Sequence, residues 1–164
     1  MRGIRLREGS DIRVRGSRIE MRNVTESDGG ITMAEWLENA TIEDTVVQTD
    51  ANDVIGIRAK GPNAREIGSD RSGAYAITLR DVHVIGQAAN DSAITIAGRD
   101  GCQFERVCIQ QSGLDRDGIT LRNSTAAVLS DTAVDVTGDP LVLDNARTKR
   151  QEMQLGDFSL SCTR

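Results

Sequence analysis

Apolar and polar residues alternate along this chain in short trios, and the trios return at regular intervals. Val82-His83-Val84 comes back as Val107-Cys108-Ile109, with Ile94-Thr95-Ile96 and Cys102-Gln103-Phe104 between them. A first series reads Ile4-Arg5-Leu6, Ile31-Thr32-Met33, Ile55-Gly56-Ile57, Ile94-Thr95-Ile96, Ile119-Thr120-Leu121 and Leu141-Val142-Leu143. A second reads Ile12-Arg13-Val14, Ala40-Thr41-Ile42, Ile77-Thr78-Leu79, Cys102-Gln103-Phe104, Ala127-Val128-Leu129 and Met153-Gln154-Leu155. A third reads Ile19-Glu20-Met21, Val46-Val47-Gln48, Val82-His83-Val84, Val107-Cys108-Ile109, Val134-Asp135-Val136 and Phe158-Ser159-Leu160. Alternation with a period of two marks a half-buried strand, one side chain inward and the next outward. Three strands and three turns per repeat predict a coil wound round a prism-shaped core.

The turn between the second and third strands is short, and its residue type recurs. Asp44, Asp81, Asp131 and Asp157 occupy it, with Gly16 and Arg106 in the other two repeats. Asp and Gly tolerate the left-handed backbone that such a corner needs. Arg106, between Asp81 and Asp131, interrupts a column of like charge. These corners, as "LRDVHV", "LSDTAVDV" and "LGDFSL", resemble those of the right-handed parallel β-helix proteins, the pectate-lyase-like superfamily, and the resemblance covers nearly the whole chain. It implies an all-β fold, a right-handed parallel β-helix solenoid of about six three-strand coils. Coils stacked about 4.8 Å apart give a rod of roughly 29 Å. Residues 1–164 then form a single domain, whole or a piece of a longer chain, with a loop insertion at 58–76. The superfamily holds polysaccharide lyases, hydrolases, phage tailspikes and non-catalytic surface proteins, so fold alone does not choose a function.

Composition narrows the picture. With one Trp, one Tyr and two Phe among 164 residues, the core must be built from Ile, Val, Leu and Ala, which suit strands. The net charge of −5 argues against general nucleic-acid binding. It is uneven: residues 1–23 carry seven Arg against three acids, a balance of +4, and the rest carries 13 basic and 22 acidic residues, a balance of −9. No apolar run approaches the ~18 residues of a membrane helix, so no membrane insertion is expected. Nor does the N-terminal stretch have the apolar core of a signal peptide. The odd count of three cysteines (102, 108 and 162) argues against a disulfide framework.

Four places offer chemistry. In enzymes of the superfamily the substrate groove runs over the outer face of the first strand, where the outward residues read Arg5, Thr32, Gly56, Thr95, Thr120 and Val142. Polysaccharide acid–base chemistry needs carboxylates or a strong base there, and this face is a threonine ladder without carboxylates. Beside it, Asp28, Asp53, Asp91, Asp117 and Asp139 form an acidic ridge. Asp91, Asp115 and Asp117 are its candidate acids or Ca²⁺ ligands, against the competing reading that Asp simply suits such corners. On the third strand, His83, Cys108 and Asp135 form a candidate thiolate or soft-metal trio. Finally, the long loop invites contact with a ligand. Trp36 in the corresponding turn of the preceding coil, with Arg65, Asp70, Arg71 and Tyr75, makes a sugar-stacking or partner-docking surface.

The expected function is a non-catalytic structural or adhesive module of a surface, appendage or virion assembly, contacting a polysaccharide or a partner protein. No cofactor is expected apart from Ca²⁺ on the ridge, and self-association runs through the rod ends, where strand edges and core lie open. An extracellular or virion-associated place is favoured. The absence of an export signal leaves a cytoplasmic scaffold as a lesser alternative. The rival is a polysaccharide lyase or glycoside hydrolase using Asp91, Asp115 and Asp117.

Overall fold

The structure, a computed structural model, describes residues 3–24, 29–62, 75–150 and 153–155. Among them the regular elements are strands, with no α-helix. Six strands form one sheet in strict chain order: β1 (Ile4–Ser10), β4 (Ile31–Glu38), β6 (Ile57–Lys60), β8 (Ser92–Ala97), β11 (Asp117–Arg122) and β14 (Leu141–Asp144). A second sheet holds β2 (Arg13–Arg15), β3 (Arg18–Met21), β5 (Ala40–Thr49), β7 (Ile77–Gly86), β9 (Gln103–Glu105), β10 (Cys108–Gln111), β12 (Ala127–Ser130), β13 (Thr132–Asp135), β15 (Thr148–Arg150) and β16 (Met153–Leu155). Every pairing between these strands is parallel.

The registers show which residues share a place in successive repeats. In the first sheet Ile4, Ile31, Ile57, Ile94, Ile119 and Leu141 stand in one column. Its inner members from Ile31 to Ile119 are fully buried. In the second sheet Ile42, Leu79, Phe104 and Leu129 form another column, and Val47, Val84, Ile109 and Val134 a third. All eight are at most 1% exposed and belong to one hydrophobic cluster.

The long strands β5 and β7 each carry both ladders of the second sheet and bend midway, at Asp44 (φ 48°) and Asp81 (φ 52°). Gly16, Arg106 and Asp131 turn the same corner with φ of 60°, 50° and 48°, as the recurring Asp and Gly predict. Asp157 lies outside the described residues. Arg106 is the costly member, since a long side chain is disfavoured in left-handed backbone. Its guanidinium forks onto Asp81, with Nε at 2.8 Å and Nη2 at 2.9 Å, so the basic residue ties adjacent repeats at the corner it interrupts.

The registers also correct several assignments. The third repeat of the first series is Ile57-Arg58-Ala59, not Ile55-Gly56-Ile57. Gly56 instead belongs to a corner column just ahead of the strand, where close backbone contact demands small residues. A Cβ on Gly30 would lie 2.8 Å from Gly56 O, and one on Gly56 2.7 Å from Ala93 O. Residues 58–60, expected in the inserted loop, are therefore strand. In the third series the outward column reads Arg18, Val46, His83, Cys108 and Ala133. The expected trios at residues 19–21, 46–48 and 134–136 slip by one or two residues. Met153–Leu155 pairs with β13 and so belongs to the third series, while Thr148–Arg150 takes its expected place in the second. Phe158-Ser159-Leu160 lies outside the described residues.

Cys102 sits in this core as a free, buried thiol, with Sγ donating to Arg99 O at 3.7 Å. Burial pushes the thiol up from an ordinary 9.0 to about 11, opposed by a backbone hydrogen bond with Ile77 and the charge of Arg99. A thiol whose pKa rises on folding contributes stability that is whole below pH ~9 and is lost as pH climbs to ~11. Two pH units correspond to about 2–3 kcal/mol. Urea midpoints measured from pH 8 to 11 are therefore expected to fall more steeply for the native chain than for Cys102→Ala. Parallel slopes would remove Cys102 as the cause.

Candidate functional site

The face of the first sheet that points away from the core carries, in register, Arg5, Thr32, Arg58, Thr95, Thr120 and Val142. The threonine ladder is therefore interrupted by a second arginine, Arg58, where Gly56 was expected. Near the β1 edge of this face a cleft of about 330 Å³ is lined by Arg5, Thr32, Met33, Ala34, Glu35, Trp36, Arg58 and Lys60. Trp36 lies within β4 rather than in a turn, paired with Glu8 beyond a bulge that gives β4 one residue more than β1, and is 61% exposed. A large aromatic left this open beside cations offers a flat apolar platform with charge at its rim.

Those cations differ from others of the described residues. Arg13, Arg15, Arg18, Arg22, Arg80, Arg106 and Arg122 each meet a carboxylate within 4 Å. Arg5, Arg58 and Lys60 have no ion pair among the described residues. With Glu35 as the one carboxylate in the lining, three cations against one anion leave the cleft a surplus of two positive charges. Two hydroxyls on this face, Thr32 Oγ1 and Thr95 Oγ1, are buried without a hydrogen-bond partner. Thr120 is satisfied by Ser92 at 2.6 Å.

One buried side chain fixes the cleft from beneath. Arg99 is fully buried, and its guanidinium donates to four carbonyls: Lys60 O at 3.0 Å, Leu37 O at 2.7 Å, Tyr75 O at 2.8 Å and Ala34 O at 2.7 Å. Burial pulls this guanidinium below its ordinary pKa, with Cys102 and Tyr75 opposing. Its partners include the backbone of two cleft residues and of Tyr75, so Arg99 holds the Trp36 strand and the chain beside the insertion in one arrangement. Arg65, Asp70 and Arg71, expected to share this surface, lie outside the described residues. Nothing in the hydrophobic periodicity points to Arg99, because a buried arginine in a Gly-Arg-Asp-Gly corner reads as surface.

The acidic ridge has a similar hidden feature. Asp53, Asn90 and Asp115 turn one corner with φ of 59°, 59° and 52°, and main-chain bonds from Asp53 N to Ala89 O and from Asn90 N to Leu114 O place them at equivalent points. Asp91 and Asp117 stand at different positions, since Asp117 pairs with Ser92. The ridge is thus not one column. Its carboxylates accept from the backbone or from neighbouring turns: Asp91 from Ser92 N at 2.9 Å, Asp117 from Asp139 N at 2.9 Å, Asp53 from Asn90 Nδ2 at 3.1 Å. Between Asp115 and Asp117, Arg116 turns inward, fully buried, and donates to Asn90 O at 2.6 Å and Val54 O at 2.7 Å. Burial pulls it down to about 10 against the attraction of Asp91, Asp117 and Asp53. A protein cation therefore relieves the repulsion. Among the described residues no group of three or more His, Cys, Asp or Glu is arranged to hold a metal ion.

The third candidate comes apart. His83 and Cys108 are register neighbours, but Ala133 stands beside Cys108, and Asp135 pairs with Gln110. Cys102 is free, while Cys108 is disulfide-bonded. A sulfur so engaged is neither a thiolate nucleophile nor a soft ligand.

Replacing Arg99 with Lys keeps a charge but cannot satisfy four divergent carbonyls. Since hydrogen bonds from charged groups carry ~1.5–3 kcal/mol each, a loss of about 3–5 kcal/mol is expected by urea denaturation. Faster amide exchange at residues 34–37 under native conditions should accompany it. Unchanged exchange there would mean that Arg99 does not hold the cleft.

No protein-family model matches this chain, and neither a curated protein nor a solved structure does.

Proposed function

We propose that this chain is a non-catalytic binding module built as a right-handed parallel β-helix of the pectate-lyase-like kind, meeting a glycan at the Trp36 cleft. The observation that carries the binding reading is the cleft itself: an open indole, three cations without ion pairs among the described residues and the orphan hydroxyl of Thr32. Ligand sites on glycan-binding surfaces combine an aromatic platform with a few convergent polar groups. The β-helix reading is supported by parallel ladders that follow chain order and by left-handed corners recurring once per repeat. A non-catalytic role is supported by Asp91 and Asp117, which serve as acceptors within turns, and by an outer column from Arg5 to Val142 that carries no carboxylate.

The disulfide at Cys108 favours an oxidising, extracellular or virion-surface setting, where such bonds persist. Work in an assembly is supported by β1, β2 and β3, each of which pairs on one side only among the described residues, since an unpaired side can take another strand.

The test is retention on immobilised polysaccharides combined with a search for cleavage products. Binding without shortening of the polymer is expected, and Trp36→Ala should reduce retention about tenfold or more, the scale of a lost aromatic anchor. New reducing ends or unsaturated uronate products, abolished by Asp117→Ala, would instead establish the lyase or hydrolase alternative.

A further inference from the structure

We infer that the Trp36 cleft seats a tetrahedral oxyanion, a sulfate or phosphate ester carried on a sugar, held between Arg5 and Arg58 above Thr32. This deepens the glycan reading and rests on it. Arg5 and Arg58 stand on alternate strands with Thr32 between them. At about 4.8 Å per strand their Cα atoms are roughly 10 Å apart. That separation lets two guanidinium forks close from opposite sides on one group lying over Thr32. Lys60, two residues beyond Arg58 on β6, adds a third cation to the same lining.

The orphan hydroxyl supplies an independent pointer. Thr32 is 9% exposed and its Oγ1 has no partner, although buried polar atoms are nearly always satisfied. Thr95 Oγ1, on the other flank of Arg58, is in the same condition. Each is a hydrogen-bond donor that meets no acceptor among the described residues. A carboxylate presents its lone pairs in one plane and suits a single fork. A sulfate or phosphate ester has three terminal oxygens directed to different sides. It accepts one fork from Arg5, one from Arg58 and the Thr32 hydroxyl from below, while the attached ring lies on the indole of Trp36. Guanidinium groups favour such oxyanions because the fork matches their geometry and is weakly hydrated.

The experiment is calorimetric titration of the full chain with four forms of one probe, maltohexaose: unmodified, carboxymethylated, sulfated and phosphorylated, all at physiological salt. Sulfated or phosphorylated maltohexaose is expected to bind about ten- to hundredfold more tightly than the other two, in line with charged hydrogen bonds gained. The comparison of those two arms decides which ester is preferred. Arg5→Gln and Arg58→Gln should each remove about tenfold or more, while Arg122→Gln, taken from an arginine paired with Asp144 at 2.8 Å, should change nothing. Thr32→Val is the sharpest variant: it removes an unsatisfied hydroxyl, so folding stability should hold or rise while affinity falls. Equal binding of the carboxymethylated form would overturn the tetrahedral preference. Equal binding of the unmodified form, lost in Trp36→Ala but indifferent to Arg5 and Arg58, would overturn the oxyanion inference and leave the glycan reading standing. Binding of none of the four would overturn both.

Discussion

Everything in this structure answers to one constraint: each strand takes its main-chain hydrogen bonds from the equivalent strand of the neighbouring repeat, always in parallel. A parallel ladder fixes register, and register fixes which side chain lies above which. Corners must then fall at equivalent places too, and where the backbone turns left-handed the residues available are few. Asp44, Asp81 and Asp131 answer that demand directly. Gly30 and Gly56 answer a related one, because the next repeat's carbonyls come too close for a Cβ. The inward columns of Ile, Leu and Val follow from the same stacking, and their alternation leaves the outward positions free for function.

The ladder does not satisfy everything. Carbonyls within β4, at the end of β6 and in turns take donors from two fully buried arginines. Arg99 reaches back to Ala34 and Leu37, and Arg116 to Val54, so each bolts together segments that are distant in sequence. A buried cation is costly unless its hydrogen bonds are made, and Arg99 makes four. The consequence reaches the surface. Because Ala34 and Lys60 are anchored from below, the cleft of Arg5, Arg58, Lys60 and Trp36 is preorganised, and little ordering remains to oppose a ligand.

The all-β class and most of the core columns were legible in the alternation of side chains, and the tight corners in their Asp and Gly residues. The slips share a cause. Ile55 and Ile57 are equally apolar and equally spaced, so only the backbone crowding at Gly56 separates corner from strand. The same slip hid Arg58, and with it the contrast between a neutral threonine ladder and a basic cleft. Val46 and Val47 posed the same ambiguity at the third strand. The pairing of Thr148–Arg150 escaped notice because its residues are polar throughout. Trp36 was recognisable as an unusual residue in an aromatic-poor chain, but its neighbours came from β1 and β6, which only the registers join to it. Arg99 and Arg116 left no trace, since nothing in composition separates a buried arginine from an exposed one.

Trp36 stands in a locally positive cleft on a chain whose net charge is −5. Trp36 is the single tryptophan, so its fluorescence reports this site alone. Quenching by iodide and by caesium at low ionic strength measures the local potential without any assumption about the ligand. Iodide is expected to quench Trp36 several-fold more efficiently than the difference in the two ions' intrinsic efficiencies allows. That excess should collapse at high salt and in Arg5→Gln/Arg58→Gln. Caesium quenching at parity or better would show that the acidic surroundings dominate, and the cleft would then not be a site for anions.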